Sequence, residues 1–163
     1  MSNLEGVMLE WFTGSGVPII FDDVMKKVED HIENDGTVFI GTDSQIIRDE
    51  CIFSSAICLH GANNQQGGSY FFKRSNFKIF KFLSLLERIT VEVEKSINIA
   101  NKVSKRYPDA KIEIHLDISA SNKKEKTSKF ADMLIGYAKG VGFDCKIKPD
   151  AFAATSIADK HTK

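Results

Sequence analysis

The sequence predicts a single α/β domain built on a mixed five-stranded sheet flanked by helices. Three observations carry that expectation. The chain has 163 residues, enough for one domain with a sizeable core. Apolar residues recur with period two in some stretches and at three- and four-residue steps in others. These stretches run in the order helix, three strands, helix, strand, helix, strand, helix, with no repeat or low-complexity segment to mark a second domain.

Residues 1–20 contain Gly6, Gly14, Gly16 and Pro18 and predict an irregular arm pinned to the body by Trp11 and Phe12. In residues 21–34 the apolar side chains fall at 21, 24, 25, 28 and 32, a helical spacing. Asp22 and Asp23 suit its first turn, and Asp35-Gly36 stops it. Strands are expected over 37–43, 51–60 (CIFSSAICLH) and 69–75 (SYFFKRS); GANNQQGG is the turn between the last two. That succession predicts an antiparallel meander. A long helix over roughly 78–106 follows, its stripe formed by Phe82, Leu86, Ile89, Val93, Ile97 and Ala100. KIEIHLDIS (111–119) alternates as a strand, 126–140 reads as a helix, 143–148 as a short strand and 150–161 as a last helix of small residues. After the leading helix, this is the element order of the ribonuclease H fold.

Bulk properties narrow the function. No apolar run is long enough to span a bilayer. The first residues, MSNLEGVMLEWF, lack the basic-then-apolar pattern of a secretory signal. Cys51, Cys58 and Cys145 are scattered, with no CxxC pair, which predicts reduced thiols in a cytoplasmic protein and no structural zinc. Net charge is zero, yet residues 1–35 hold eight acids and two bases, so the rest of the chain is six positive. That balance leaves nucleic acid open as a partner without requiring it.

VFIGTDSQ (38–45) sets Asp43 at the end of a hydrophobic strand, between the hydroxyls of Thr42 and Ser44. Buried charge is costly unless it is paired or holds a metal. Asp117, in IHLDIS, falls near the end of the fourth strand, and the carboxyl ends of strands are where α/β proteins place ligands. In the predicted sheet the two strands are neighbours. Adjacent carboxylates repel unless they share a proton or a cation, and Mg²⁺ or Mn²⁺ prefers oxygen ligands. A lone Asp after a strand is more often a turn residue or cap; the pair is the stronger signal.

The last helix offers Asp150 at its start and Asp159 nine residues on, roughly 13 Å along the axis, so both are not expected at one centre. Asp150 also suits an N-cap. The long helix offers Glu87, Glu92 and Glu94. Glu87 and Glu94 share a face and Glu92 is expected to point elsewhere; Glu87, nearest the helix start, is the candidate fourth acid. Surface pairing with Arg88 or Lys95 is the plainer reading of all three.

The segments FIGTDSQ, IHLDIS and GVGFDCKIKPDAFAATSIADKHTK resemble the YkuK-like family of ribonuclease H-like proteins, from about residue 20 onward. The resemblance implies a ribonuclease H-like fold. It matches Asp43 to the first-strand acid and Asp117 to the fourth-strand acid of such nucleases, with Glu87 standing for the first-helix acid. Asp150 resembles the acid that opens the last helix of RuvC-like resolvases, and Asp159 is the competing choice. SASNKKEK (119–126) departs from the glycine-containing loop expected there. The implied chemistry is phosphodiester hydrolysis with Mg²⁺ or Mn²⁺, two ions about 4 Å apart, and no side-chain nucleophile.

His115 shares a strand face with Asp117 and is a candidate proton carrier, though a packed histidine is the commoner role; His161 is a weaker candidate. Lys73, Arg74, Lys123, Lys124, Lys126 and Lys129 would neutralise phosphates, and of Phe71 and Phe72 the outward one would stack on a base. These observations favour a metal-dependent nuclease acting on RNA, RNA–DNA hybrid or structured DNA. The alternative is a non-catalytic ribonuclease H-like module that binds nucleic acid or protein. The number of converging acids separates the two.

Overall fold

The structure is a computed structural model that describes residues 11–79, 84–119 and 130–163. The elements are β1 (Trp11–Thr13), β2 (Pro18–Ile19), α1 (Phe21–Glu33), β3 (Thr37–Ile47), β4 (Glu50–His60), β5 (Gly68–Lys78), α2 (Leu85–Arg106), β6 (Ile112–His115), α3 (Ala131–Gly140) and β7 (Asp144–Lys146). A C-terminal helix follows, with a π-helical core over Ala153–Ala158. No helix among the described residues is long and apolar enough to cross a membrane.

The strands form one sheet in the order β2-β1-β5-β4-β3-β6-β7. β3, β4 and β5 make the expected antiparallel meander over eleven residues each. β6 then lies parallel to β3, and β7 parallel to β6. The sheet has seven strands and not five, because the expected irregular arm supplies β1 and β2. These pair antiparallel with each other and with the outer edge of β5, and Trp11 packs its ring 5.7 Å from that of Phe21. β3 also runs four residues past Asp43, so that residue lies within a strand and not at its end.

The alternation of β3 separates two faces. Val38 and Ile40 point to the main core, shared with Met25 and Val28 of α1, Ile89, Val93, Ile97 and Val103 of α2, and Ile112 and Ile114 of β6. α2 starts at a capping pair: Ser84 Oγ accepts from the Glu87 backbone N–H at 3.1 Å. On the same side Thr42 Oγ1 lies 2.8 Å from both Ser55 Oγ and Ser96 Oγ, so three buried hydroxyls satisfy one another.

The opposite face carries Phe39, Gly41, Asp43 and Gln45, and the C-terminal helix lies on it. Gly41 makes that docking possible: a Cβ there would meet Ala154 N at 2.5 Å and Ala153 C at 2.6 Å. Ala153, Ala154 and Ala158 are fully buried beneath the helix. Small residues on both sides bring backbone against backbone.

Candidate active site

Strand register and helix rise place the acids. Gly41 sits opposite His115 in the parallel pair, so two residues further on Asp43 and Asp117 are neighbours on one face. The C-terminal helix runs with β3: Phe152 packs on Phe39 at 5.0 Å, Ala154 covers Gly41, and Thr162 Oγ1 donates to Gln45 Oε1 at 3.0 Å. Four strand residues from Gly41 to Gln45 span roughly 13 Å, and eight helical residues from Ala154 to Thr162 roughly 12 Å. The middle of one lies over the middle of the other, so Asp159 comes to Asp43. Their side chains are hydrogen-bonded.

Asp43 is 6% exposed, and its pKa is pushed up to about 9. Burial is the first cause, followed by the negative charge of Glu92, a hydrogen bond with Asp159, and the charge of and a hydrogen bond with Asp117. Glu92 is 8% exposed and raised to about 8, again chiefly by burial. Ser44 Oγ donates to Glu92 Oε2 at 2.8 Å, and this bond opposes the rise, as do the charges of Arg88 and Lys148; Asp117 adds to it. Lys148 Nζ reaches Asp117 Oδ1 at 3.0 Å. The centre is therefore a buried carboxyl touching two others and facing a fourth, with one ammonium at its rim.

Of the sequence-derived acids, the structure brings Asp43, Asp117 and Asp159 together. It does not bring Glu87 or Asp150 to them. Glu87 stands exposed in the first turn of α2, in the capping pair with Ser84. Glu92, expected to point elsewhere, takes its place. It lies three residues after Ile89 and four before Ser96, inside the buried stripe of α2. A glutamate interrupting an apolar stripe was the signal available in the sequence. Asp150 is exposed in the turn before the helix, its N–H donating to Ile147 O at 2.8 Å, at the Phe39 end of the sheet and away from Asp43. Lys148 had no sequence signal beyond its charge.

His115 is a packed residue. Its ring lies between Phe39 and Phe152, Nδ1 accepts from the Ala153 backbone N–H at 3.1 Å, and Nε2 therefore carries the proton given to Glu113 Oε1 at 2.8 Å. Burial lowers its pKa despite the Glu113 charge. It anchors the start of the C-terminal helix and so positions Asp159 indirectly. Phe71 and Phe72 are both buried, so neither is the free stacking ring expected; His161 lies flat on Phe72, centroids 3.6 Å apart. Lys123, Lys124, Lys126 and most of the 119–126 loop lie outside the described residues, as does Lys129. Among the described residues two buried polar atoms border the centre without a hydrogen-bond partner: Ser54 Oγ, on the residue paired with Asp43 across β4, and Arg88 Nε.

Among the described residues no three ligating side chains stand as a preformed cage. The donor chemistry nonetheless fits a hard divalent cation. Every group that converges on Asp43 is a carboxylate, and the short acid–acid contacts require a shared proton that a cation would replace. The three cysteines are free, and none acts on Asp43.

The ribonuclease H-like family model matches residues 19–163. The chain is also similar to the "uncharacterized protein YkuK" of Bacillus subtilis strain 168, at 28% identity over 91% of this chain and 94% of that protein. The matched span contains the meander, the parallel β3–β6 pair and all four clustered acids, and the chain belongs to the ribonuclease H-like family, in its YkuK-like branch.

Proposed function

We propose that the protein is a divalent-metal-dependent nuclease that hydrolyses phosphodiester bonds in RNA, RNA–DNA hybrid or structured DNA. The observation that carries this reading is the convergence of Asp43, Glu92, Asp117 and Asp159 from a strand, a helix, a strand end and a second helix. Nothing in the fold requires so costly a grouping of acids, since each buried carboxyl disfavours its own ionised form.

In this reading the four carboxylates hold Mg²⁺ or Mn²⁺. When bound, the cations supply a water acidic enough to attack phosphorus and a charge that stabilises the leaving oxygen. The chain supplies the frame. Ser44 fixes Glu92 by donating to Oε2. Gly41 and the buried alanines set the height of the C-terminal helix, and His115 holds its first turn. Lys148 balances Asp117 while the acids are unloaded, and its ammonium is long enough to turn to a phosphate once they are loaded.

The same ion pair is what favours the second reading, a non-catalytic nucleic-acid-binding module in which Lys148 stands permanently where a cation would. A cleavage panel separates the two. Purified protein is incubated with Mn²⁺ or Mg²⁺ and single-stranded RNA, hybrid or branched DNA, with Asp43→Asn and Asp117→Asn as controls. The nuclease reading expects metal-dependent products that both substitutions abolish. No product on any substrate, together with no Mn²⁺ uptake by calorimetry, leaves the binding module.

A further inference from the structure

We propose that the apolar groove between the C-terminal helix and β5 is a base-binding subsite for single-stranded nucleic acid, and that Arg74 and Lys160 hold the phosphates between it and the acid cluster. The proposal deepens the nuclease reading by naming the strandedness of the substrate.

The groove has a volume of about 360 Å³ and is lined by Cys58, Leu59, Tyr70, Phe152 and Ile157, with no carboxylate among its walls in the described residues. That volume lies near the lower end for sites that enclose one small organic group. A single planar base fits such a recess; a duplex, whose bases are stacked inside, does not present one. The groove opens on the same sheet face as the acids. Asp43, Ser54 and Arg74 form one row across β3, β4 and β5, and Phe39, Cys58 and Tyr70 form another. Arg74, Phe72 and Tyr70 thus follow one another along β5 from the level of the acids to the groove.

Cations mark that path. Lys160 Nζ stands 5.5 Å over the Tyr70 ring, and Arg74 lies close enough to His161 to act on its charge, as Lys160 does. His161 is fixed between them by the flat contact with Phe72 and a 3.0 Å hydrogen bond between Nε2 and Tyr70 Oη. Neither Arg74 nor Lys160 takes part in an ion pair of the described residues. An acidic peptide would use the cations and leave the apolar walls idle. A polynucleotide strand uses both, with charge on its backbone and flat apolar groups beside it.

Strand geometry sets a length. Tyr70 lies two strands across and four residues along from Asp43, roughly 16 Å away at about 4.8 Å per strand and 3.3 Å per residue. At the 3.4 Å rise of a stacked strand that is at most about five nucleotides, and fewer where the strand is extended. Binding should therefore gain sharply once an oligomer exceeds that length.

The test uses the full chain in EDTA, so that hydrolysis plays no part, and measures anisotropy of labelled oligothymidylates and oligouridylates of four, eight and twelve residues. The expected result is at least tenfold tighter binding of the 8-mer than the 4-mer. Ile157→Glu removes that gain, while an equally long duplex is indifferent to the substitution. Arg74→Gln with Lys160→Gln, both on the surface, lowers the slope of log affinity against log salt by about 1.4. A smooth rise of affinity with length, an unchanged 8-mer affinity in Ile157→Glu, an unchanged salt slope, or equal competition by polyglutamate overturns the proposal. Length-dependent binding without cleavage in Mn²⁺ overturns the nuclease reading and leaves this one standing; cleavage of single strands that ignores these substitutions does the reverse.

Discussion

The two faces of β3 solve opposite problems with the same backbone. On the α2 face, Val38 and Ile40 fill volume and Thr42 and Ser44 satisfy partners: Ser55, Ser96 and Glu92 each meet a hydroxyl at 2.8 Å. On the other face volume is withheld. Gly41 has no side chain, the alanines above it are minimal, and the space released lets a helix descend until Asp159 meets Asp43. One face is built for stability and the other tolerates a cost to it. The small residues of this motif thus set where the acids meet, although none of them carries a functional group.

The hardest way to break the contrast is to restore volume. Gly41→Val should push the C-terminal helix off the sheet and cost roughly 3 kcal/mol or more. Cleavage and Mn²⁺ uptake would vanish along with the Asp159 contact. A variant that retains the wild-type melting temperature and activity would show that the helix does not need that approach.

Removing single acids is the next strongest intervention and separates the two glutamates of α2. Glu92→Gln should lower kcat by about 10² or more, as loss of a charge-stabilising group at a reacting centre does. Glu87→Gln should leave kcat alone, since that residue stands exposed in the first turn of α2. Equal losses in the two variants would argue that the cluster is not the catalytic one.

The cost of the acid face should be visible as pH dependence. Asp43 ionises near 3.8 when unfolded and near 9 in the cation-free fold, and Glu92 near 4.5 and 8. Between those limits the unfolded chain gives up protons that the fold retains. The stability contributed by these groups is therefore full below about pH 4 and lost as pH rises towards 9. Thermal melts in EDTA should fall across that window, and less steeply for Asp43→Asn, which should melt several degrees higher than wild type at neutral pH. Mn²⁺ should reverse the order, raising the wild type and not the variant. A flat wild-type profile would mean that the carboxyls are not held protonated.

The smallest effects compare hydroxyls. Thr42→Val removes a satisfied group from the α2 face and should cost about 1 kcal/mol. Ser54→Ala removes the unpartnered hydroxyl opposite Asp43 and should be neutral or slightly stabilising without metal. If the two variants melt alike, the two faces do not differ as described.

Much of this was legible in the sequence, and the misses have physical causes. Runs of β-branched and aromatic residues between turn signals revealed the meander, and period-two alternation revealed β6. β1 and β2, three and two residues long, are too short to show a period; they exist because β5 offers them an edge. Asp43 and Asp117 were legible as acids following apolar strand residues. Glu92 was not, because assigning an acid to the solvent side of a helix assumes that the apolar stripe excludes charge, and here the stripe contains one. Choosing between Asp150 and Asp159 required knowing where the helix crosses β3. That crossing is fixed by contact at Gly41, a tertiary fact with only a glycine to announce it.

The separation of the acids along the chain has a consequence for synthesis. Asp43 and Asp159 are 116 residues apart. At roughly 5–20 residues per second, a ribosome needs on the order of 6–20 s to travel from one codon to the other. Throughout that interval the growing polypeptide exposes its first acid without the last. Any hydrolytic power that needs all four acids is therefore withheld from the growing polypeptide until Asp159 has been added.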